Sequence, residues 1–381
     1  MDFSFTDEQQ AVAELAGRIF DGRAGPERVG EVERSAERID RQLWAELARA
    51  NLLGIPVPVE DGGSGLGVVE WALILEAQGR CVAPVPLLWH TVAALTVAGF
   101  GTGAQRARWL PGAVDGTRWL TAGLAGPGAG DPRVPALTAT PAGEGFVLRG
   151  TSFAVPAAHV ADAVLVAARV GDETSPVGDD GAGPVIVALV DPAGLPAARA
   201  EATDRQLLTH LCLDGVEVGP DELVAGPERG AAALRHAVER ALVGLAALQV
   251  GVAEAALARA ASYTSGRVQF GRPLSSFQST AARAADAYID TEAMRAVTLQ
   301  AAWRLDLGLE AAAEVAVAKW WAAEAGQRVV HTAQHLHGGL GADVSYPIHR
   351  YFLWGKQIED TLGGASAQLA QLGRLLAAEA R

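Results

Sequence analysis

The stretch "YTSGRVQFGRPLSSFQ" spans Tyr263–Gln278. Residues 230–261 before it are mostly alanine, leucine and valine at helical spacing, and a helical period resumes after it. Within it, arginine, phenylalanine, glycine, proline and glutamine arrive together. Two long helices joined by a polar, aromatic connection are therefore predicted. Singly, Arg267 reads as a surface arginine and Phe270 as a core ring. Together, beside Gly271 and Pro273, they ask for a role in binding.

Working outward, residues 231–265, 279–306 and 312–339 each read as a long helix, and helices of that length pack as a bundle. Residues 1–118 are also helical in period; Thr6 is positioned as an N-cap with Asp7 and Glu8 in the first turn. Between these zones, residues 119–228 change to short β-rich runs such as "FVLRGTSFAV" (146–155), "ADAVLVAARV" (161–170) and "PVIVALV" (184–190), bounded by Gly, Pro and Asp. The expectation is an α+β protein of three domains: an N-terminal helical domain (1–118), a middle β-barrel domain (119–228) and a C-terminal four-helix bundle (229–381). The loop at 170–184 is expected to move.

Composition narrows the function classes. The chain has 381 residues, half of them hydrophobic and a fifth charged, with a formal net charge of -13. That charge argues against nucleic acid as a partner. Cys81 and Cys212 make neither a metal spacing nor a disulfide framework and are expected as buried free thiols. The start "MDFSFTDEQQ" lacks a signal-peptide pattern, and apolar runs such as "GLAALQVGVAEAAL" are interrupted by charge, so a cytoplasmic protein with no membrane segment is expected.

Three motifs carry a resemblance that spans nearly the whole chain. "PVPVEDGGSGLG" (56–67) resembles a PEEYGG-type loop, "YTSGRVQFGRPLSSFQ" a Y…R-x-QFG-x-P…FQ signature, and "AQHLHGGLGADVSYPIHR" (333–350) a QxxGGxGY…YP element. All three are similar to the acyl-CoA dehydrogenase family. The resemblance implies FAD as cofactor and an acyl-CoA thioester as substrate, with a proton removed from Cα, hydride passed from Cβ to the flavin and electrons passed on to a separate acceptor. It also implies that Arg267 and Phe270 reach across a subunit interface to FAD held mainly by a neighbouring chain. Gln278, His335 (where the family has glutamine), Gly338, Gly339 and Gly341 complete that cofactor-binding set.

The other half of the family's flavin site departs from the pattern. In "LAGPGAGD" (124–131) the threonine, glutamate and serine positions are Ala125, Gly126 and Asp131. In "GTSFAVPAAH" (150–159) the tryptophan position falls on Phe153 or Ala154, the hydroxyl on Pro156 and the asparagine on Ala157. These groups remove side-chain donors, and Asp131 adds a charge. The catalytic glutamate position, within "TLGGAS" (361–366), is Leu362. The alternative position on the long helix is Ala241 or Leu242. Glu239 lies two residues away, rotated by roughly 200°; it reads as an ion-pair member on a solvated face and is a weak candidate base.

What the chain would offer a neighbour is intact, and what its own site would need is eroded. That pattern resembles the base-less subunit of actinobacterial heteromeric (α2β2) acyl-CoA dehydrogenases, several of which act on steroid side-chain CoA esters. Two alternatives stay open: a complete homo-oligomeric dehydrogenase using Glu239, and a redox-inactive acyl-CoA-binding or scaffold protein. Trp303, Trp320 and Trp321 read as core or interface, and His331 and His337, six apart, as no metal pair.

Overall fold

The computed structural model describes residues 4–126, 131–171 and 183–379. Residues 127–130 of the stretch 124–131 and most of the loop expected to move (172–182) therefore lie outside the described residues. Six helices come first: α1 (Asp7–Arg23), α2 (Pro26–Glu33), α3 (Arg41–Arg49), α4 (Val68–Cys81), α5 (Leu87–Phe100) and α6 (Gly103–Val114). Ten strands follow: β1 (Leu120–Gly123), β2 (Leu137–Ala142), β3 (Gly145–Arg149), β4 (Thr151–Pro156), β5 (Ala163–Val170), β6 (Val185–Val190), β7 (Ala197–Glu201), β8 (Leu207–Cys212), β9 (Val216–Val218) and β10 (Leu223–Ala225). Then come α7 (Gly230–Gly266), the two-residue strands β11 (Val268–Gln269) and β12 (Arg272–Pro273), α8 (Gln278–Asp306), α9 (Ala312–His337), α10 (Ile348–Asp360) and α11 (Ala365–Glu379).

Packing divides the chain into two compact units that do not follow chain order. One comprises Met1–Glu31, Val68–Pro84 and Leu242–Arg381; the other comprises Val32–Gly67 and Val85–Ala241. In the first, α8 packs on α9, which also carries α10 and α11, while α4 packs on both α1 and α8. α1 begins where its sequence says: Thr6 Oγ1 accepts from Gln9 N, and the Gln9 side chain returns a bond to the Thr6 N–H. α4 has a cap that no local pattern reveals. The Asp306 carboxylate, at the far end of α8, accepts from Val68 N at 2.5 Å and Val69 N at 3.0 Å. Two glycines let α4 and α7 meet backbone to backbone: a Cβ on Gly79 would lie 2.2 Å from Leu248 O, and one on Gly251 would lie 2.0 Å from Glu76 O.

By length and composition α7 is apolar enough to cross a membrane, contrary to the expectation drawn from its scattered charges. Its most apolar stretch is 78% buried within the protein, which is the setting of a core helix.

The second unit holds two sheets. One runs β10-β6-β5-β2-β3-β9, with β1 and β2 parallel to successive halves of β5; the other runs β4-β8-β7. β5 and β6 read as unbroken apolar runs because both their faces are covered, and Val164, Val166, Ile186 and Ala188 sit in the core. The run predicted over 146–155 is in fact two strands in different sheets. Gly150, at φ 108°, makes the break. His90 is fixed as the neutral tautomer: Nδ1 accepts from Leu120 N at 3.1 Å and Nε2 donates to Ala113 O at 2.9 Å, and burial pulls its pKa down to about 4.

Asp204 is the opposite case. Its carboxylate accepts from Gln206 N and Gln206 Nε2, yet full burial pushes its pKa up to about 6. The folded state thus holds this proton more tightly than the unfolded chain, and stability falls as pH rises from about 4 to about 6. Asp204→Asn is expected to stabilise the protein by about 1–3 kcal/mol at pH 7.5 and by little at pH 4. Urea unfolding of both proteins at the two pH values checks it; equal gains at both would contradict this account.

Candidate functional site

The stretch that opened the sequence reading folds as a miniature hairpin at the end of α7. Val268 pairs with Pro273 and Gln269 with Arg272, leaving Phe270 and Gly271 as a two-residue turn. Both have positive φ, 53° and 77°, as a type I′ turn requires. Gly271 adopts this freely, whereas an aromatic residue there is strained. The Phe270 ring is also 90% exposed, so no burial compensates. Arg272 lies 4.0 Å over the Phe277 ring and stiffens the base of the hairpin. The Arg267 N–H donates to Tyr263 O, and Arg267 O accepts from Leu274 N. Its side chain is exposed and has no carboxylate partner among the described residues. Gln278, the first residue of α8, is exposed as well.

The glycine element belongs to the same unit. α9 ends at His337, and Gly338 follows at φ 60° and ψ -138°, a conformation open only to glycine. A Cβ on Gly338 or Gly339 would meet nothing within 4 Å, so both present bare backbone to open space. Gly341 differs: it is buried, and a Cβ there would lie 2.6 Å from Gln334 O. His335 is exposed. His337, which the sequence singled out only to reject as a metal ligand, joins the two elements. Its ring stacks on Tyr263 with centroids 4.8 Å apart, and Nδ1 donates to Ala333 O at 2.7 Å. An exposed ring, a guanidinium without a carboxylate and open glycine backbone together suit an anionic dinucleotide.

On the β side, the structure brings Ala125 and Phe153 together as an isolated bridge. β4 bulges between Ser152 and Val155. Ala154 and Ala157 take positive φ, 48° and 52°. The Ala154 N–H donates to His210 Nδ1 at 3.2 Å, and the Phe153 ring stands edge-on to His210. His210 had no sequence signal, being a lone histidine on a strand. Asp131 does not stand as a bare charge: Arg133 donates to it from its backbone N at 3.0 Å and from Nη1 at 3.3 Å.

Comparison with known proteins agrees with these motifs. The acyl-CoA dehydrogenase N-terminal domain model matches residues 6–117 and the C-terminal domain model residues 228–375. The acyl-CoA dehydrogenase FadE27 of Mycobacterium tuberculosis is 38% identical over 386 residues, covering 99% of each chain. The chain belongs to the acyl-CoA dehydrogenase family. Among solved structures, a chain of the Tcur3481-Tcur3483 steroid ACAD superposes with TM-score 0.89 at 46% identity, covering 98% of this chain and 99% of that one. A chain of the ChsE4-ChsE5 complex from Mycobacterium tuberculosis gives 0.89 at 38% identity, covering 99% of each. The fold is the family's, with an N-terminal helical part, a central curled sheet and C-terminal helices, and the protein is an FAD-dependent oxidoreductase.

Leu362 and Glu239, the two candidate base positions, have contrasting surroundings. Leu362 is buried at φ 57° in the turn between α10 and α11, and its carbonyl accepts from Gln368 Nε2 at 3.2 Å. Behind it Lys319, fully buried, donates to Ile358 O, Glu359 O and Gly363 O at 3.1, 2.9 and 3.1 Å. One ammonium thus caps the last carbonyls of α10, and burial draws its pKa down to about 7. Nothing in the local sequence marks Lys319 for this task beyond its being one of two lysines. Glu359 pairs with Lys356, and Asp360 is exposed. Glu239 corrects the sequence reading: it is only 9% exposed, on the buried side of α7 and not on a solvated face. Cys81 and Cys212 are free but half-buried, not buried as expected.

Proposed function

We propose that this chain is the half-site subunit of a heteromeric acyl-CoA dehydrogenase, completing the FAD site of a partner chain and lacking a base of its own. The observation that carries the reading is the contrast between two loops. The Phe270–Gly271 turn holds a strained ring in full exposure, which only a ligand or partner would reward. The Leu362 turn is buried and held by Lys319, and the leucine side chain at the glutamate position cannot itself accept a proton. In this reading Arg267 pairs with the FAD diphosphate and Phe270 covers the adenine. Gln278, His335 and the Gly338–Gly341 backbone border the same site. FAD supplies the hydride acceptor when bound, and the proton from Cα goes to a carboxylate of the partner. Support for a second subunit and a steroid side-chain CoA ester comes from the two related structures, one described as a complex of two different chains and the other as a steroid ACAD.

Buried Glu239 is the observation that favours a second reading, a homo-oligomer with a displaced base. The deciding experiment is visible flavin absorbance per mole of chain, purified alone and co-expressed with a family member that carries a base. Little flavin and no turnover alone, with both restored by the partner, is the expected result. Stoichiometric flavin and turnover by the chain alone, abolished by Glu239→Gln, would overturn the proposal.

A further inference from the structure

His337 is the last residue of α9 and is buried, yet the flavin reading gives it no contact with the cofactor. Its ring lies where three separate stretches of chain meet. It stacks on Tyr263, with centroids 4.8 Å apart and planes at 19°. Tyr346 leans against it at 5.4 Å and 52°. Each tyrosine belongs to a different element. The Tyr263 carbonyl accepts from the Arg267 N–H, and Arg267 O accepts from Leu274 N, so the stack continues into both legs of the hairpin. Tyr346 closes the segment that begins at Gly338: its N–H donates to Asp343 O, and its carbonyl accepts from His349 Nδ1 at 2.7 Å at the start of α10. His337 itself leads directly into Gly338, whose backbone conformation only glycine adopts.

The imidazole is fixed in its plane. Nδ1 donates to Ala333 O, one turn back on α9, at 2.7 Å. That bond makes Nε2 an acceptor, buried and without a hydrogen-bond partner among the described residues. A phenyl ring would fill the same space with no orphaned nitrogen. What the imidazole adds is the tether to Ala333, which sets the angle at which both tyrosines meet α9. Burial, helped by the nearby Arg259 guanidinium, holds the His337 pKa below the usual histidine range, so the ring is uncharged at neutral pH. The hairpin needs such an anchor. Residues 265–273 are all exposed, so burial does not hold it in place. A loop that spends one tenth of its time in the binding position binds about tenfold more weakly.

We propose that His337 is the positioning residue of the cofactor half-site, its ring clamping the hairpin after α7 and the glycine turn after α9 in one relative placement. The inference rests on the reading of Arg267, Phe270 and the Gly338–Gly341 backbone as FAD contacts. Hydrogen–deuterium exchange of the intact chain tests the clamp itself. FAD titration of the apo-complex formed with a base-bearing partner tests its use. In His337→Ala, exchange over 264–277 and 338–346 is expected to quicken about tenfold with α1 unchanged, and FAD affinity to fall by about the same factor. His337→Phe restores the ring without the tether and is expected to recover most of both losses. Unchanged exchange over the two segments in His337→Ala, equal quickening in α1, or no recovery in His337→Phe would overturn the clamp. Quickened exchange confined to the two segments, with FAD affinity unaltered, would uphold the clamp and overturn instead the flavin reading on which its role rests.

Discussion

Replacing Arg295 by alanine is expected to destabilise the protein by about 3–5 kcal/mol, the loss typical of a buried ion pair broken from one side. Arg295 stands at the centre of a network on α8. Its Nε and Nη2 donate to Glu76 Oε1 at 3.3 and 3.2 Å, its Nη2 donates to Glu254 at 2.9 Å, and it also pairs with Glu292. Glu76 is 9% exposed, and burial raises its pKa against the pull of Arg295. Without Arg295, Arg80 remains as the main compensation for that carboxylate, at 3.4 Å. The pH dependence identifies the cause. A buried glutamate whose folded pKa is raised binds its proton more tightly folded than unfolded, so stability falls as pH rises through the folded value. The variant should therefore be hurt more at pH 7.5 than at pH 5. Glu76→Gln combined with Arg295→Met should recover much of the loss, because a neutral pair needs no compensation. Chemical denaturation of the three proteins at both pH values measures this. A uniform loss across pH would point to lost packing instead.

The second large effect concerns the hairpin, where stability and binding should move in opposite directions. Phe270→Gly relieves a positive φ of 53° at an exposed position, so the folded chain should gain about 0.5–1 kcal/mol. On the reading above, the same change removes the ring over the adenine, and flavin occupancy of the assembled enzyme should fall. Arg267→Ala should leave stability unchanged, because its side chain is exposed and has no ion pair among the described residues. It should weaken FAD binding by about 2–4 kcal/mol, roughly thirtyfold to a thousandfold, as loss of a charged bidentate contact does. Thermal unfolding together with FAD titration of the apo-complex reads both quantities. If Phe270→Gly raises stability and leaves flavin affinity intact, the strain at Phe270 is unrelated to the cofactor.

Much of this was legible in the residues, because the signals involved are local. A period of 3.6 located α7, α8 and α9, and Thr6 followed by Asp7 and Glu8 marked the start of α1. The polar, aromatic connection between the two long helices was legible too, although its folding as a hairpin was not. The family was legible because its motifs are short and contiguous. The apolar Leu362 was legible by counting, although its left-handed backbone was not.

Other features depend on residues far apart in the chain. α4 starts under a carboxylate 238 positions further on, and α10 ends under an ammonium about 40 positions earlier. Neither partner lies in the window where a cap is sought. Glu239 read as solvated from its rotation away from the Ala241 position, and its burial depends on which elements cover that side of α7. By itself, the sequence determined the elements, the family and the chemistry each short motif can perform, since these follow from neighbours along the chain. Only the tertiary structure decided which charges are buried, which carbonyls are capped and which opposite charges meet, because burial and electrostatic pairing depend on distance in space.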